Sequence, residues 1–299
     1  MSHVAYHMSH TPVLLNEVIE FLNPRPGSFV IDGTIDGGGH AEEILNRLGP
    51  KGKLLGVDWD GAMITNCKLR IARFRNTTLV QGNYANLPEI LKIKKMGKAD
   101  GLLLDLGFSS EQLERSGRGF SFAKDEPLIM TYNSKRKPAN EILEKLSEKE
   151  LAKIIFELSG EKFAMRIAEA IKKRERLKLV ETTRDLREII KSAVPKNYER
   201  GRIDPATRTF QALRIYINDE LGNLKKILDN LPKILKPDGR AVVISFHSLE
   251  DKIVKNSFRD LAEEKVMEIL TKKPVTPSKE EIMSNLRSRS AKLRAAKII

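Results

Sequence analysis

Residues 29–40 read Phe-Val-Ile-Asp-Gly-Thr-Ile-Asp-Gly-Gly-Gly-His: an apolar run that ends on an acid, turns through glycines and enters a helical pattern. A strand, a glycine-rich turn and a helix N-terminus in that order let a ligand approach exposed backbone N–H groups at the carboxyl edge of a parallel sheet. The adjacent glycines Gly37, Gly38 and Gly39 favour that reading over a plain tight turn. Further apolar runs at Lys53 to Asp58, Thr78 to Gly82 and Asp100 to Asp105 read as buried strands. Helical patterns fill the gaps, among them Ala41 to Leu48, stopped by Gly49-Pro50, and Ala62 to Arg73. Strands alternating with helices predict an α/β fold with a doubly wound parallel sheet.

A fifth strand, Arg240 to Phe246, comes only after a long amphipathic helix that opens at Asp204-Pro205. The stretch between strands four and five carries helix signals and no convincing strand. Ser147 and Glu150 form a capping box ahead of Leu151, Ile154, Ile155 and Leu158; Phe163, Ile167 and Ile171 make one stripe, and Leu186, Ile189, Ile190 and Ala193 another. We therefore expect a discontinuous sheet domain, residues 1–112 and 204–299, with a small all-helical domain inserted at 113–203. In the tail, Val266 to Leu270 and Lys292 to Ile299 are candidate strands for an antiparallel closing pair.

The formal charge of +13 points to a polyanionic partner, because phosphates neutralised by Lys and Arg release counterions. Between Lys162 and Arg202 there are 13 Lys/Arg against 6 Asp/Glu, so the excess is concentrated on the insert. Arg287, Arg289, Lys292, Arg294 and Lys297 add positive charge in the tail. Cys67 is the only cysteine, which excludes an intrachain disulfide and a cysteine-based zinc site. His3, His7 and His10 are too loosely spaced to argue for a metal, and none is expected. No apolar run has the length of a membrane span and the start lacks a signal-peptide pattern, so no membrane partner and a cytoplasmic location are expected.

Spacing then narrows the ligand. The dinucleotide fingerprint G-x-G-x-x-G is absent, which weakens an NAD-dependent dehydrogenase reading. Asp32 ends strand one and Asp58 ends strand two, at the spacing of a ribose hydroxyl acceptor; Asn83 and Tyr84 follow strand three, and Asp105 ends strand four. An acid or polar group at each successive strand end, with no pyrophosphate cradle, fits S-adenosylmethionine.

The chain also resembles a known family, the bacterial 16S ribosomal RNA cytosine-N4 methyltransferases of the RsmH or MraW type. The resemblance rests on His10-Thr11-Pro12-Val13-Leu14-Leu15, the Asp32 to His40 loop, Leu104-Asp105-Leu106-Gly107-Phe108-Ser109-Ser110, Gln112, Arg118-Gly119-Phe120-Ser121-Phe122, Pro205 to Ala212, Ile244 to Asp251 and Arg287-Ser288-Arg289-Ser290. It implies a class I S-adenosylmethionine-dependent methyltransferase sheet, Rossmann-like, interrupted by the helical substrate domain. The cofactor contacts it implies are Gly38, Gly39, His40, Asp58, Tyr84, Asp105 and Gln112, and the substrate a cytidine in the decoding region of small-subunit ribosomal RNA. Two places depart from the family pattern. Asp36 stands where glycine is usual, in a loop that needs φ > 0, and Ile129-Met130-Thr131 replaces Asp-Met-Arg.

Cytosine N4 is a poor nucleophile, so positioning carries much of the catalysis, and a stacked base must be drawn out into the pocket. Asp105 is the first candidate to accept a hydrogen bond from N4–H, with Ser109 or Ser110 orienting the base. His247 is a candidate proton acceptor, with direct loss to water as the alternative. A competing reading is a catalytically degenerate fold that acts as an RNA-binding ribosome-assembly protein.

Overall fold

The computed structural model describes residues 12–107, 116–133, 136–198 and 203–299. His3, His7, His10, Ser109, Ser110 and Gln112 lie outside the described residues. The chain divides into two compact units, one of residues 1–109 with 221–299 and one of residues 110–220.

The first unit is a seven-stranded sheet: β1 (Phe29–Asp32), β2 (Lys53–Asp58), β3 (Thr77–Gln81), β4 (Ala99–Asp105), β5 (Leu235–Ser245), β6 (Met267–Ile269) and β7 (Lys292–Ile298). Their order is β3-β2-β1-β4-β5-β7-β6. The first five strands pair in parallel, and β7 lies antiparallel between β5 and β6. The expected doubly wound sheet and antiparallel closing pair are both present. Strands covered on both faces need apolar residues at successive positions, which is why they read as continuous runs. Val30, Leu54, Leu103, Val242 and Ile244 face a core shared with helices Leu15–Leu22, Gly39–Leu48 and Gly61–Arg70. Ile31, Leu55, Leu102, Leu104 and Val243 face the opposite core, which holds Leu87, Ile90, Leu224, Ile227, Val254 and Phe258 from helices Leu87–Ile93, Glu220–Leu228 and Ser248–Glu263. β5 begins five residues earlier than the sequence suggested. Lys236-Pro237-Asp238-Gly239 does turn, with Asp238 at φ 63°, but the ladder to β4 resumes across the irregularity.

The second unit is helical in its regular elements: Ala139–Lys145, Glu148–Ser159, Ala164–Glu175, Thr183–Ala193 and Ala206–Asn218. The Ser147 capping box forms. Ser147 Oγ accepts from Glu150 N–H at 3.3 Å and Glu150 Oε2 accepts from Ser147 N–H at 2.8 Å. Gly160 ends the same helix at φ 66°. Leu151, Ile155, Ile167, Ile171, Leu186 and Ile190 make the core, joined by Phe210, Leu213 and Ile217. The helix Ala206–Asn218, which the sequence reading counts with the sheet, thus buries its stripe among the insert's helices. Its Asp204 start behaves as expected, Oδ1 accepting from Ala206 N–H at 3.0 Å. A buried carboxyl group belongs to this core. Glu161, at 0% exposure, accepts from Tyr198 Oη at 2.8 and 3.0 Å and from Phe163 N–H at 2.8 Å.

The departure at residues 129–131 sits in this unit. Met130 takes φ 56° and is buried, and its N–H donates to the Arg118 carbonyl at 2.7 Å. The Arg118 guanidinium lies 5.2 Å from the Phe120 ring centroid and donates to the carbonyls of Thr131 and Tyr132 at 3.4 Å each. Backbone carbonyls and an aromatic face thus hold a cation beside the altered tripeptide.

Candidate active site

The sheet reverses direction of growth between β1 and β4, and such switch points open a crevice beyond the carboxyl ends of the strands. The carboxylates of Asp32, Asp36, Asp58 and Asp105 are gathered there. Asp32 is 1% exposed, and its Oδ1 accepts from Thr34 N–H at 3.2 Å. Asp58, at the end of β2, accepts from Asp60 N–H at 2.8 Å on Oδ1 and from Asp36 N–H at 3.0 Å on Oδ2. Each oxygen of Asp58 keeps a second lone pair for an incoming hydroxyl. Asp105, at the end of β4, takes Gly107 N–H on Oδ1 at 3.2 Å, and its Oδ2 lies 3.7 Å from His40 Nδ1.

Burial raises the Asp32 carboxyl to about 8, and the Asp105, Asp58 and Asp36 charges push the same way against the Thr34 hydrogen bond. Burial likewise lifts Asp58 to about 7, aided by the Asp36 and Asp60 charges and opposed by the Asp60 and Asp36 N–H donors. Cys67 lies behind the glycine loop, its thiol pushed up to about 12 by burial and then by the carboxylates of Asp32, Asp58 and Asp36, and it serves as packing. So many acids on one edge favour a ligand that brings positive charge.

The loop explains its own residues. Gly33 N–H donates to the Leu103 carbonyl at 2.9 Å, and Ile35 N–H donates to the Val57 carbonyl at 2.9 Å. Within two residues the chain therefore swings from β4 to β2. A Cβ on Gly33 would meet Leu104 Cδ2 at 2.6 Å and Tyr84 Cβ at 3.2 Å. Asp36 adopts φ 45°, so an aspartate occupies a left-handed position, with Asp58 holding its N–H. Gly38, at φ 79°, is the N-cap of the helix Gly39–Leu48 and brings no capping side chain. The Cβ direction of Gly37 is open, with nothing within 4 Å. An N-terminus without its own capping side chain can receive a carboxylate.

His40 is 7% exposed, and its Nε2 lies 2.9 Å from the Val13 carbonyl. A carbonyl only accepts, so Nε2 carries the proton and Nδ1 faces Asp105. Asn83 caps the short helical turn Tyr84–Asn86 through Ala85 N–H at 2.8 Å, which sets the half-buried Tyr84 beside the loop. Gly38, Gly39, His40, Asp58, Tyr84 and Asp105 therefore all line one edge of the sheet.

His247 is engaged differently. It is the N-cap of the helix Ser248–Glu263: Nδ1 accepts from Glu250 N–H at 3.4 Å, and Glu250 Oε2 accepts in return from the N–H groups of Phe246 and His247 at 2.8 and 3.3 Å. The sequence reading overlooked this helix, although Glu250 three residues after His247 is a capping-box spacing. The basic tail is also partly committed. Arg294 and Lys292 pair with Asp251 at 2.7 and 3.4 Å, and Lys297 pairs with Glu268 and Asp238 at 3.1 and 3.5 Å. Despite the opposing pull of partial burial, the Arg294 and Lys292 cations hold the Asp251 carboxyl below its ordinary range.

A family model described as the MraW methylase family matches residues 7–299. The chain is 44% identical to the ribosomal RNA small subunit methyltransferase H of Syntrophus aciditrophicus, over 97% of this chain and 98% of that one. It is 45% identical to the protein of the same name from Geotalea uraniireducens, with the same coverage of both chains. In three dimensions it is similar to the crystal structure of an rRNA methylase from Streptococcus thermophilus at 9% identity and a TM-score of 0.44, over 95% of this chain and 93% of that one.

Proposed function

The chain belongs to the MraW methylase family, and from that premise we propose that it transfers a methyl group from S-adenosylmethionine to the exocyclic N4 of a cytidine in the decoding region of 16S ribosomal RNA. The site residues fit this donor. The capless helix N-terminus at Gly38 and Gly39 suits its carboxylate, Asp58 suits its ribose hydroxyls, Tyr84 flanks its adenine, and the crowded carboxylates suit its charge. The bound donor supplies a methyl group on a positively charged sulfur.

The protein's part is positioning and proton handling. Asp105, which holds Gly107 N–H on Oδ1, is the proposed acceptor for the N4 amino hydrogen through its carboxylate. On being methylated the amino group would give up one proton at the Asp105 carboxylate, to be lost to water. His247 caps a helix through the nitrogen that would otherwise accept this proton, which favours the water route. Ser109, Ser110 and Gln112 complete the proposed set as base-orienting and cofactor contacts.

The helical unit, with exposed Lys162, Lys173, Arg176, Lys178 and Lys196, supplies phosphate contacts for the RNA. No helix among the described residues is long and apolar enough to cross a membrane.

The observation that carries the donor assignment is Asp58 joined to the glycine loop through Asp36 N–H at the sheet's switch point. The test is mass mapping of methylated nucleosides in small-subunit RNA after incubation with the purified protein and labelled donor. Label on N4-methylcytidine is the expected result, and label confined to another nucleoside removes the N4 assignment. Calorimetry should detect donor binding that Asp58→Ala abolishes. Absence of binding by the unaltered chain would favour the degenerate reading instead.

A further inference from the structure

β1 separates from β4 before β4 ends. The last register pair between them is Asp32 with Leu103, and the last strand-like bond runs from Gly33 N–H to the Leu103 carbonyl. Beyond it the chain moves to β2, where Ile35 N–H reaches Val57. β4 nevertheless continues to Asp105, whose partner on the other side is Ile244 of β5. In a parallel sheet successive N–H groups alternate between the two neighbours. Leu106 N–H turns to β5, where the Ile244 carbonyl accepts it at 3.0 Å. Asp105 N–H turns to the β1 side, where strand carbonyls have run out. There the acceptor is a side chain, Thr34 Oγ1, at 2.6 Å.

We infer that Thr34 is a positioning residue: its hydroxyl replaces the carbonyl that β1 no longer offers and fixes the backbone of Asp105, and with it the carboxylate at the reacting end of the site. Thr34 is itself held, since its N–H donates to Asp32 Oδ1 at 3.2 Å. Asp32, Thr34 and Asp105 therefore form one connected series across the ends of β1 and β4. This arrangement lets β1 peel away, which opens the crevice, without releasing the end of β4. A backbone acceptor in the same place would close the gap the ligand needs. Only a short side chain with an oxygen on its β-carbon matches the reach, so serine can substitute and isosteric valine cannot. The functional part of the inference rests on the role of Asp105 proposed above.

The test compares Thr34→Val and Thr34→Ser in the full-length chain. The first readout needs no donor or RNA: amide hydrogen exchange at Asp105, followed by NMR. Exchange about tenfold faster in Thr34→Val and near the unaltered rate in Thr34→Ser is expected. Unchanged exchange in Thr34→Val overturns the inference whatever the enzyme does. The second readout is single-turnover methyl transfer at saturating donor and RNA. Thr34→Val should be slower by about tenfold or more with Thr34→Ser within about threefold, and Thr34→Val should add nothing further in an Asp105→Ala background. A released Asp105 amide with undiminished transfer overturns the positioning role. Undiminished transfer in Asp105→Ala alone overturns the reading of Asp105 as well.

Discussion

Replacing Asp32 by asparagine should make the protein more stable, and increasingly so as the pH rises. The carboxyl is 1% exposed and raised to about 8 from an ordinary 3.8, chiefly by burial and further by the charges of Asp105, Asp58 and Asp36. Below pH 3.8 both the folded and the unfolded chain hold this proton, and above about 8 neither does. Between those limits the unfolded carboxyl has ionised while the folded one has not, so stability is lost as the pH rises through the window. Each unit is worth about 1.4 kcal/mol, so the whole window amounts to about 6 kcal/mol and the part from pH 5 to pH 8 to about 4 kcal/mol. Asparagine keeps an oxygen for the Thr34 N–H and carries no ionisable proton. Urea unfolding followed by circular dichroism at pH 5, 6, 7 and 8 measures both proteins. The stability difference, variant minus unaltered, should climb by several kcal/mol across that series. A difference that stays flat with pH would refute the argument that a buried, crowded carboxyl is retained at this edge at a cost to folding.

Other perturbations give narrower outcomes. Gly38→Ala places a Cβ 2.9 Å from Cys67 Sγ at φ 79°, so donor affinity measured by calorimetry should fall about tenfold or more, and unchanged affinity would show that the loop can relax. Tyr198→Phe removes a donor from the buried Glu161 carboxylate and should cost about 1 to 3 kcal/mol in urea unfolding. His247→Ala should lose about 1 kcal/mol of stability as a missing N-cap while His247→Asn retains it; equal losses in both would remove the capping role. Neutralising Lys162, Lys173 and Lys178 together to glutamine should lower the slope of log affinity for RNA against log salt by about 2 to 3, and an unchanged slope would place the phosphate contacts elsewhere.

The strands were legible because a sheet covered on both faces writes itself as apolar runs, and β1, β2 and β4 fall within a residue of where those runs stand. Asp32, Asp58 and Asp105 were legible for a related reason, since an acid that ends an apolar run is an acid at the sheet's carboxyl edge. Contacts made through the backbone or across the fold were not. Nothing local in Thr34 announces that it serves a strand 71 residues away. The helix Leu15–Leu22 begins from Leu14 at φ 54° with no capping side chain, so it carries no start signal. The helix Ser248–Glu263 does carry one, but histidine is an unusual cap, and its chemistry drew attention instead. The tail's cations looked available for phosphate because their carboxylate partners, Asp251, Glu268 and Asp238, are remote in sequence.

The place of β7 bears on how the molecule comes into being. Of all the strands it lies farthest along the chain, yet it sits inside the sheet, hydrogen-bonded to β5 on one flank and β6 on the other. Until residues 292–298 are available, β5 presents a long row of unsatisfied donors and acceptors and β6 has no strand to pair with. A nascent chain must therefore hold an adhesive border from the completion of β5 at Ser245 until β7 arrives at Lys292. A shortened chain that lacks this last piece should be lost to aggregation before its donor pocket can be judged.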